Sequence, residues 1–170
     1  MSRSVLFFAT LAASILVLAA TIPARAQPDP ASLAKQDVAA QGRGDVAAAL
    51  ALYGDHAVVQ GGGFCWSPCV GKAAIGKELA RRVASRNHAT IIGEYVSDNV
   101  AVVKTEVRLW YVDNSGARRN IQWSPGVERI IVWNIYEEKD GKIAVVTLVG
   151  QRTDPQTARF IAWFRSQSHK

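Results

Sequence analysis

The stretch that decides the fold runs from Ala89 to Val112 and reads ATIIGEYVSDNVAVVKTEVRLWYV. Lys104, Glu106 and Arg108 alternate with Val103, Thr105, Val107 and Leu109. One face is therefore wet and the other buried, the pattern of an antiparallel strand covered on one side. Asp98-Asn99 separates two runs rich in β-branched residues and marks a tight hairpin. Two strands are expected, over 89–97 and 100–112.

Upstream of His88 the apolar period is 3.6 instead. Ala31 to Gln41 is rich in alanine and free of breakers, and Gly42-Arg43-Gly44 ends it. Asp45 is a good N-cap for a second short helix through Tyr53. His56 to Gln60 is a short apolar strand, interrupted by Gly61-Gly62-Gly63. A third helix opens near Lys72, with Ile75, Leu79 and Val83 on one face and Glu78 and Arg82 spaced for an i,i+4 ion pair. Downstream, Asn114-Ser115-Gly116 turns the chain into a strand that runs to Glu138. Pro125-Gly126 breaks that strand, and proline there argues for a bulge or bend. After the turn at Lys139-Asp140-Gly141 comes a last strand, Lys142 to Gly150. Asp154 then caps a closing helix with Pro155 at its first position, and Phe160, Trp163 and Phe164 form its apolar stripe. Helices grouped on one face of a bent sheet make an α+β fold: helices packed on a strongly curved antiparallel sheet, forming a cone with an internal pocket.

The N-terminus reads differently. Val5 to Ile22 carries no charged side chain, Arg3 precedes it, and Ala24 and Ala26 fit an A-x-A cleavage site. A membrane anchor would need a run of similar length, but the many alanines and the adjoining cleavage signature favour a signal peptide over residues 1–26. One domain over 27–170 follows, expected to be periplasmic or secreted with no stable membrane anchor after cleavage. Loss of Arg3 and Arg25 would lower the formal charge from +6 by two. That mild excess, with no aromatic platform beside Arg81-Arg82-Arg86 or Arg118-Arg119, excludes a nucleic-acid partner.

Cys65 and Cys69 are the only cysteines, share one loop and belong to a chain read as exported, so a Cys65–Cys69 disulfide is expected. Three intervening residues do not match a thioredoxin-type pair. His56, His88 and His169 are isolated, so no metal site is expected. Gly61-Gly62-Gly63 is not a phosphate cradle, because Trp66 stands where the motif ahead of Gly71-Lys72 needs glycine. No cofactor is expected.

Three stretches resemble the nuclear transport factor 2-like superfamily and, within it, the SnoaL-like proteins. Gly44-Asp45-Val46 through Ala49-Leu50-Ala51-Leu52-Tyr53-Gly54-Asp55-His56-Ala57-Val58-Val59 is similar to the second helix and first strand. Val70-Gly71-Lys72-Ala73-Ala74-Ile75 is similar to the entry to the third helix. Asn134-Ile135-Tyr136 followed by Asp140-Gly141-Lys142-Ile143 is similar to the last hairpin. The resemblance implies a sheet wrapping a pocket beneath the helices, often dimeric through the sheet, in a fold that serves isomerases, cyclases, dehydratases and binding domains alike. Fold does not settle function. Ketosteroid isomerases of this kind use an Asp base, a Tyr and a protonated carboxylic acid. Aligned through Gly44-Asp45, the Tyr position falls on Asp37, the base on Gly61 and the acid on Asn134, so no base remains and no catalytic residue is assigned.

The pocket is expected to be mostly apolar, lined by the face bearing Ile130, Val132, Asn134 and Tyr136, with Asn134 as hydrogen-bond donor. Asp37 either points into it or is solvated. Glu128 either joins it or makes a rim salt bridge, while Glu106 reads as a surface cross-strand partner. The leading expectation is a binding domain for a small apolar ligand. The alternatives are a cyclase, dehydratase or isomerase using Glu128 or Asp37 as base, and a structural module that dimerises through its sheet.

Overall fold

Asp29 starts the first helix: its carboxylate accepts from the backbone N–H groups of Ala31 and Ser32, and Pro30 occupies the first turn, where its missing N–H costs nothing. The computed structural model describes residues 28–61, 67–86, 88–113, 115–120 and 126–167. Residues 1–26, Cys65 and Pro125, on which expectations above fall, lie outside them.

Helix α1 (Pro30–Gly42) is followed by α2 (Val46–Ala51), capped by Asp45 through Ala48 N–H at 2.9 Å. The second helix stops two residues short of Tyr53. Tyr53 instead opens β1 (Tyr53–Gly61), where it pairs with Ile143, so tertiary pairing overrides the helical run. Then come β2 (Cys69–Val70), α3 (Gly71–Ala84), β3 (His88–Ser97) and β4 (Val100–Arg108). The run expected to continue to Val112 bends at Leu109, whose N–H donates to the Glu128 carbonyl at 2.7 Å. Its remainder, β5 (Trp110–Val112), leaves the main sheet and pairs with β6 (Arg118–Asn120) in a separate ribbon. The last strands are β7 (Arg129–Lys139) and β8 (Lys142–Gly150), closed by α4 (Pro155–Gln167).

The main sheet runs β2-β1-β8-β7-β4-β3. Four of its five neighbouring pairs are antiparallel, as expected, and β1 lies parallel to β8. A parallel neighbour requires a long crossover; here α3 and the β3–β4–β7 meander supply it. Register shifts interrupt β1–β8, β3–β4 and β7–β8, and bulges of this kind bend a sheet. The concave face carries Val59, Val103, Val107, Val132 and Val146, all buried beneath α1 and α3. Gly61 shows how tightly the sheet edge is built: its φ is +80°, and a Cβ there would collide with the carbonyl oxygen of Leu148. Only glycine fits both demands.

Candidate functional site

One side chain on the concave side is out of character. Asp37, in the middle of α1, is 1% exposed. Its Oδ2 accepts from two phenols, Tyr53 of β1 and Tyr136 of β7, each at 3.0 Å. Its Oδ1 is buried with no hydrogen-bond partner among the described residues. Burial raises the Asp37 pKa above its ordinary value; Gln41, Tyr136, the Arg82 charge and Tyr53 pull it back only in part. Both phenols are pushed well above the usual tyrosine range, by burial first and then by the neighbouring Asp37 charge. They therefore remain donors at any physiological pH.

Above this carboxyl lies a cavity of about 50 Å³ between α1, α3 and the sheet. Half of its lining residues are polar: Gln41, Tyr53, Arg82, Thr105, Asn134 and Tyr136 join Asp37 there, facing Val38, Val83, Val107, Val146 and Leu148 among others. The pocket therefore carries more polar groups than the few expected. Periodicity finds the buried face of each strand but not what polar side chains that face carries.

Asn134 is also reassigned. Its Nδ2 donates to the Val103 carbonyl at 3.1 Å and to Thr105 Oγ1 at 2.8 Å, and Thr105 passes its own hydrogen to the Val132 carbonyl at 3.3 Å. A carbonyl can only accept, so the amide nitrogen must face Val103. The donors of Asn134 are engaged by the protein itself, and the atom left to the cavity is its Oδ1, an acceptor.

Arg82 enters from α3. Its Nε meets Glu78 Oε1 at 3.1 Å, and Arg81 binds the same carboxylate at 2.7 Å, so two guanidiniums share one acid. The expected i,i+4 pair is present, and its arginine reaches the cavity wall.

Of the residues singled out in the sequence, Asp37, Asn134 and Tyr136 meet in this cavity. Glu128 does not: it is exposed and pairs with Arg118 at 3.0 Å, the rim salt bridge. It heads the chain into β7 from outside the sheet, too far toward the rim to share the inward face of Ile130. Glu106 lies on the outer face and reaches Arg129 at 3.7 Å. Sequence reasoning missed Tyr53, Gln41, Arg82 and Thr105. Gln41 was within reach, being four residues from Asp37 on one helix. Tyr53 was hidden by its assignment to a helix. Among the described residues no group of His, Cys, Asp and Glu could hold a metal ion, and no helix is long and apolar enough to cross a membrane.

No protein-family model and no curated protein matches the chain. Solved structures do match. A candidate polyketide cyclase from Xanthomonas campestris pv. campestris superposes with a TM-score of 0.59 at 19% identity, over 79% of this chain and 96% of that one. SalBIII, an epoxide hydrolase/cyclase-like enzyme of pyran ring formation in polyether salinomycin, gives 0.57 at 14% identity, over 74% and 92%. A nuclear transport factor 2-like protein of unknown function from Cytophaga hutchinsonii gives 0.55 at 10% identity, over 76% and 96%. The fold is the α+β cone of the nuclear transport factor 2-like proteins.

Proposed function

We propose that this is an exported, SnoaL-like binding domain that takes the head of a small molecule into the cavity above Asp37. The observation that carries the reading is the buried carboxyl with one oxygen unpartnered, set in the wall of a cavity at the heart of the fold. A buried polar atom without a partner is costly, and a ligand that supplies the partner recovers that cost. The size of the cavity fits a head group rather than a whole steroid-like body: an apolar cavity of roughly 150 Å³ holds a single benzene, and this one is about 50 Å³. Export rests on the apolar run and the A-x-A site before Gln27. The Cys65–Cys69 pairing is part of the same reading and rests on two cysteines sharing one short loop of a chain read as exported.

Thermal-shift screening with aromatic, steroid-like and fatty alcohols and ketones tests the reading. Stabilising compounds should lose their effect in Val107→Phe, which fills the cavity, and keep it in Lys104→Glu on the opposite face. A panel without a hit, or hits indifferent to the filled cavity, would overturn it.

A second reading is catalysis of the cyclase, dehydratase or isomerase kind. It is favoured by one observation, the raised pKa of Asp37 beside a cavity, a common property of a general acid or base. In that reading Asp37 moves the proton and the two tyrosines orient its carboxyl.

A further inference from the structure

The chemistry of the cavity wall narrows what the head group can be. Two oxygens lack donors there. Oδ1 of Asp37 has no partner in hydrogen-bond geometry among the described residues, although the Gln41 side chain acts on the same carboxyl, and Oδ1 of Asn134 is left over once its nitrogen is committed to Val103 and Thr105. Tyr53 and Tyr136 offer nothing to a ligand oxygen, because each phenol hydrogen already goes to Asp37 Oδ2. Charge is constrained as well. While Asp37 is ionised an anionic head would face its carboxylate, and a cationic head would face Arg82, whose positive charge acts on Asp37 from α3. What remains is a neutral group rich in hydrogen-bond donors.

Resting on the binding function proposed above, we infer that the cavity selects hydroxyl-bearing ligands, an alcohol or diol head, over the corresponding ketones. The hydroxyl hydrogen goes to Asp37 Oδ1, and in a diol a second goes to Asn134 Oδ1. A ketone brings no hydrogen to either oxygen and can only accept, from Arg82 or Gln41, whereas a hydroxyl can donate and accept at the same wall. Rejection by unpaired buried polar groups discriminates more sharply than a misfit of apolar shape.

The selectivity depends on the protonation of Asp37. The groups that face it are Tyr53 from β1, Tyr136 from β7, Arg82 from α3 with its partner Glu78, and Gln41 from its own helix. Protonation would put a hydrogen on the vacant oxygen, since Oδ2 keeps the two phenols. The wall then donates, and ketones gain where alcohols lose.

The test is a titration of the protein with cyclohexanol and with cyclohexanone, followed by amide chemical shifts. Above the Asp37 titration the alcohol should bind at least tenfold more tightly. The preference should narrow and then reverse as pH falls through the Asp37 titration, which needs no variant. Asp37→Asn should show the reversed preference at every pH: the amide oxygen stays with the tyrosines and the NH₂ takes the vacant position. A ketone that binds as well as the alcohol, or a preference untouched by both pH and Asp37→Asn, overturns the inference while the binding function stands. If neither compound binds, the inference falls; the thermal-shift panel then decides separately whether the binding function falls with it.

Discussion

Asp37 gains two phenol hydrogen bonds and loses its water, and the second effect is the larger, because its pKa is raised from 3.8. Between 3.8 and the folded value the native chain holds a proton that the unfolded chain has released. The unfolded state binds fewer protons there, so stability falls as pH rises across that window and returns as pH drops. Asp113 and Asp154 act in the opposite sense. Hydrogen bonds from Ser115 and then Arg119 hold Asp113 down to about 2, so what it contributes is present above 3.8 and is lost as pH falls from 3.8 through about 2. The Asp37 term is isolated by subtraction. Asp37→Asn cannot titrate and keeps an oxygen for the tyrosines, so its stability minus that of the unaltered protein should grow with pH. Chemical denaturation at several values from about pH 4 to about pH 7 measures this; a difference constant with pH would refute it. At Gly61 the expectation is simpler. Gly61→Ala must accept a positive φ, at about 1–2 kcal/mol, together with a collision against Leu148, and its unfolding free energy from chemical denaturation should fall by at least that much.

Thr157 is the buried polar contact between helix α4 and the sheet, beside the Gln156 side chain that accepts from Arg129 N–H and the core residue Phe160. Thr157 is 1% exposed; its Oγ1 accepts the N–H of Ile131 at 2.8 Å and donates to Asp154 Oδ1 at 2.8 Å, while Asp154 caps the helix through Thr157 N–H. Thr157→Val keeps the shape and removes the acceptor, leaving the Ile131 N–H buried and unpaired at a cost of about 1–3 kcal/mol. Hydrogen exchange at Ile131 should accelerate, and Thr157→Ser should restore it. This contact was invisible beforehand, although the sequence marks both elements it joins. Turn chemistry fixes the ends of β8, Lys142–Gly150, because Asp140-Gly141 and Asp154-Pro155 bracket it. Alternation fixes the buried face of β4 but not its end, since Leu109 continues the pattern while bending out of the sheet. Tyr53 was lost for the opposite reason: the alanines before it favour helix, and only pairing with Ile143 across the fold makes it a strand. Asp37 and Tyr136 meet across 99 residues of chain, a contact that no local pattern encodes.

On the scale of the whole molecule, the convex side of the sheet is more apolar than a surface facing only water needs to be. The register sets Lys104, Trp133 and Val149 in one row and Val102, Ile135 and Thr147 in the next, with Tyr95 beside Val102 and Val70 beside Val58. Tyr95 is 69% exposed and Val149 46%, while Lys104 lies over the Trp133 ring at 5.0 Å. Glu137 and Lys104 add charge to this face from the inner strands β7 and β4. We expect two copies to pair through it, as the resemblance to the fold family implies. Val149→Glu places a carboxylate in the apolar centre without touching the concave wall, where Leu148 and Val146 face the cavity. In light scattering after size exclusion the unaltered protein should run as a dimer and Val149→Glu as a monomer with its ligand response intact. A monomeric unaltered protein would remove the pairing and leave Tyr95 and Val149 as surface residues. A variant that stays dimeric would move the contact elsewhere. A monomeric variant whose ligand response is lost would show that the two faces of the sheet are coupled, so that assembly on the convex side shapes the cavity on the concave one.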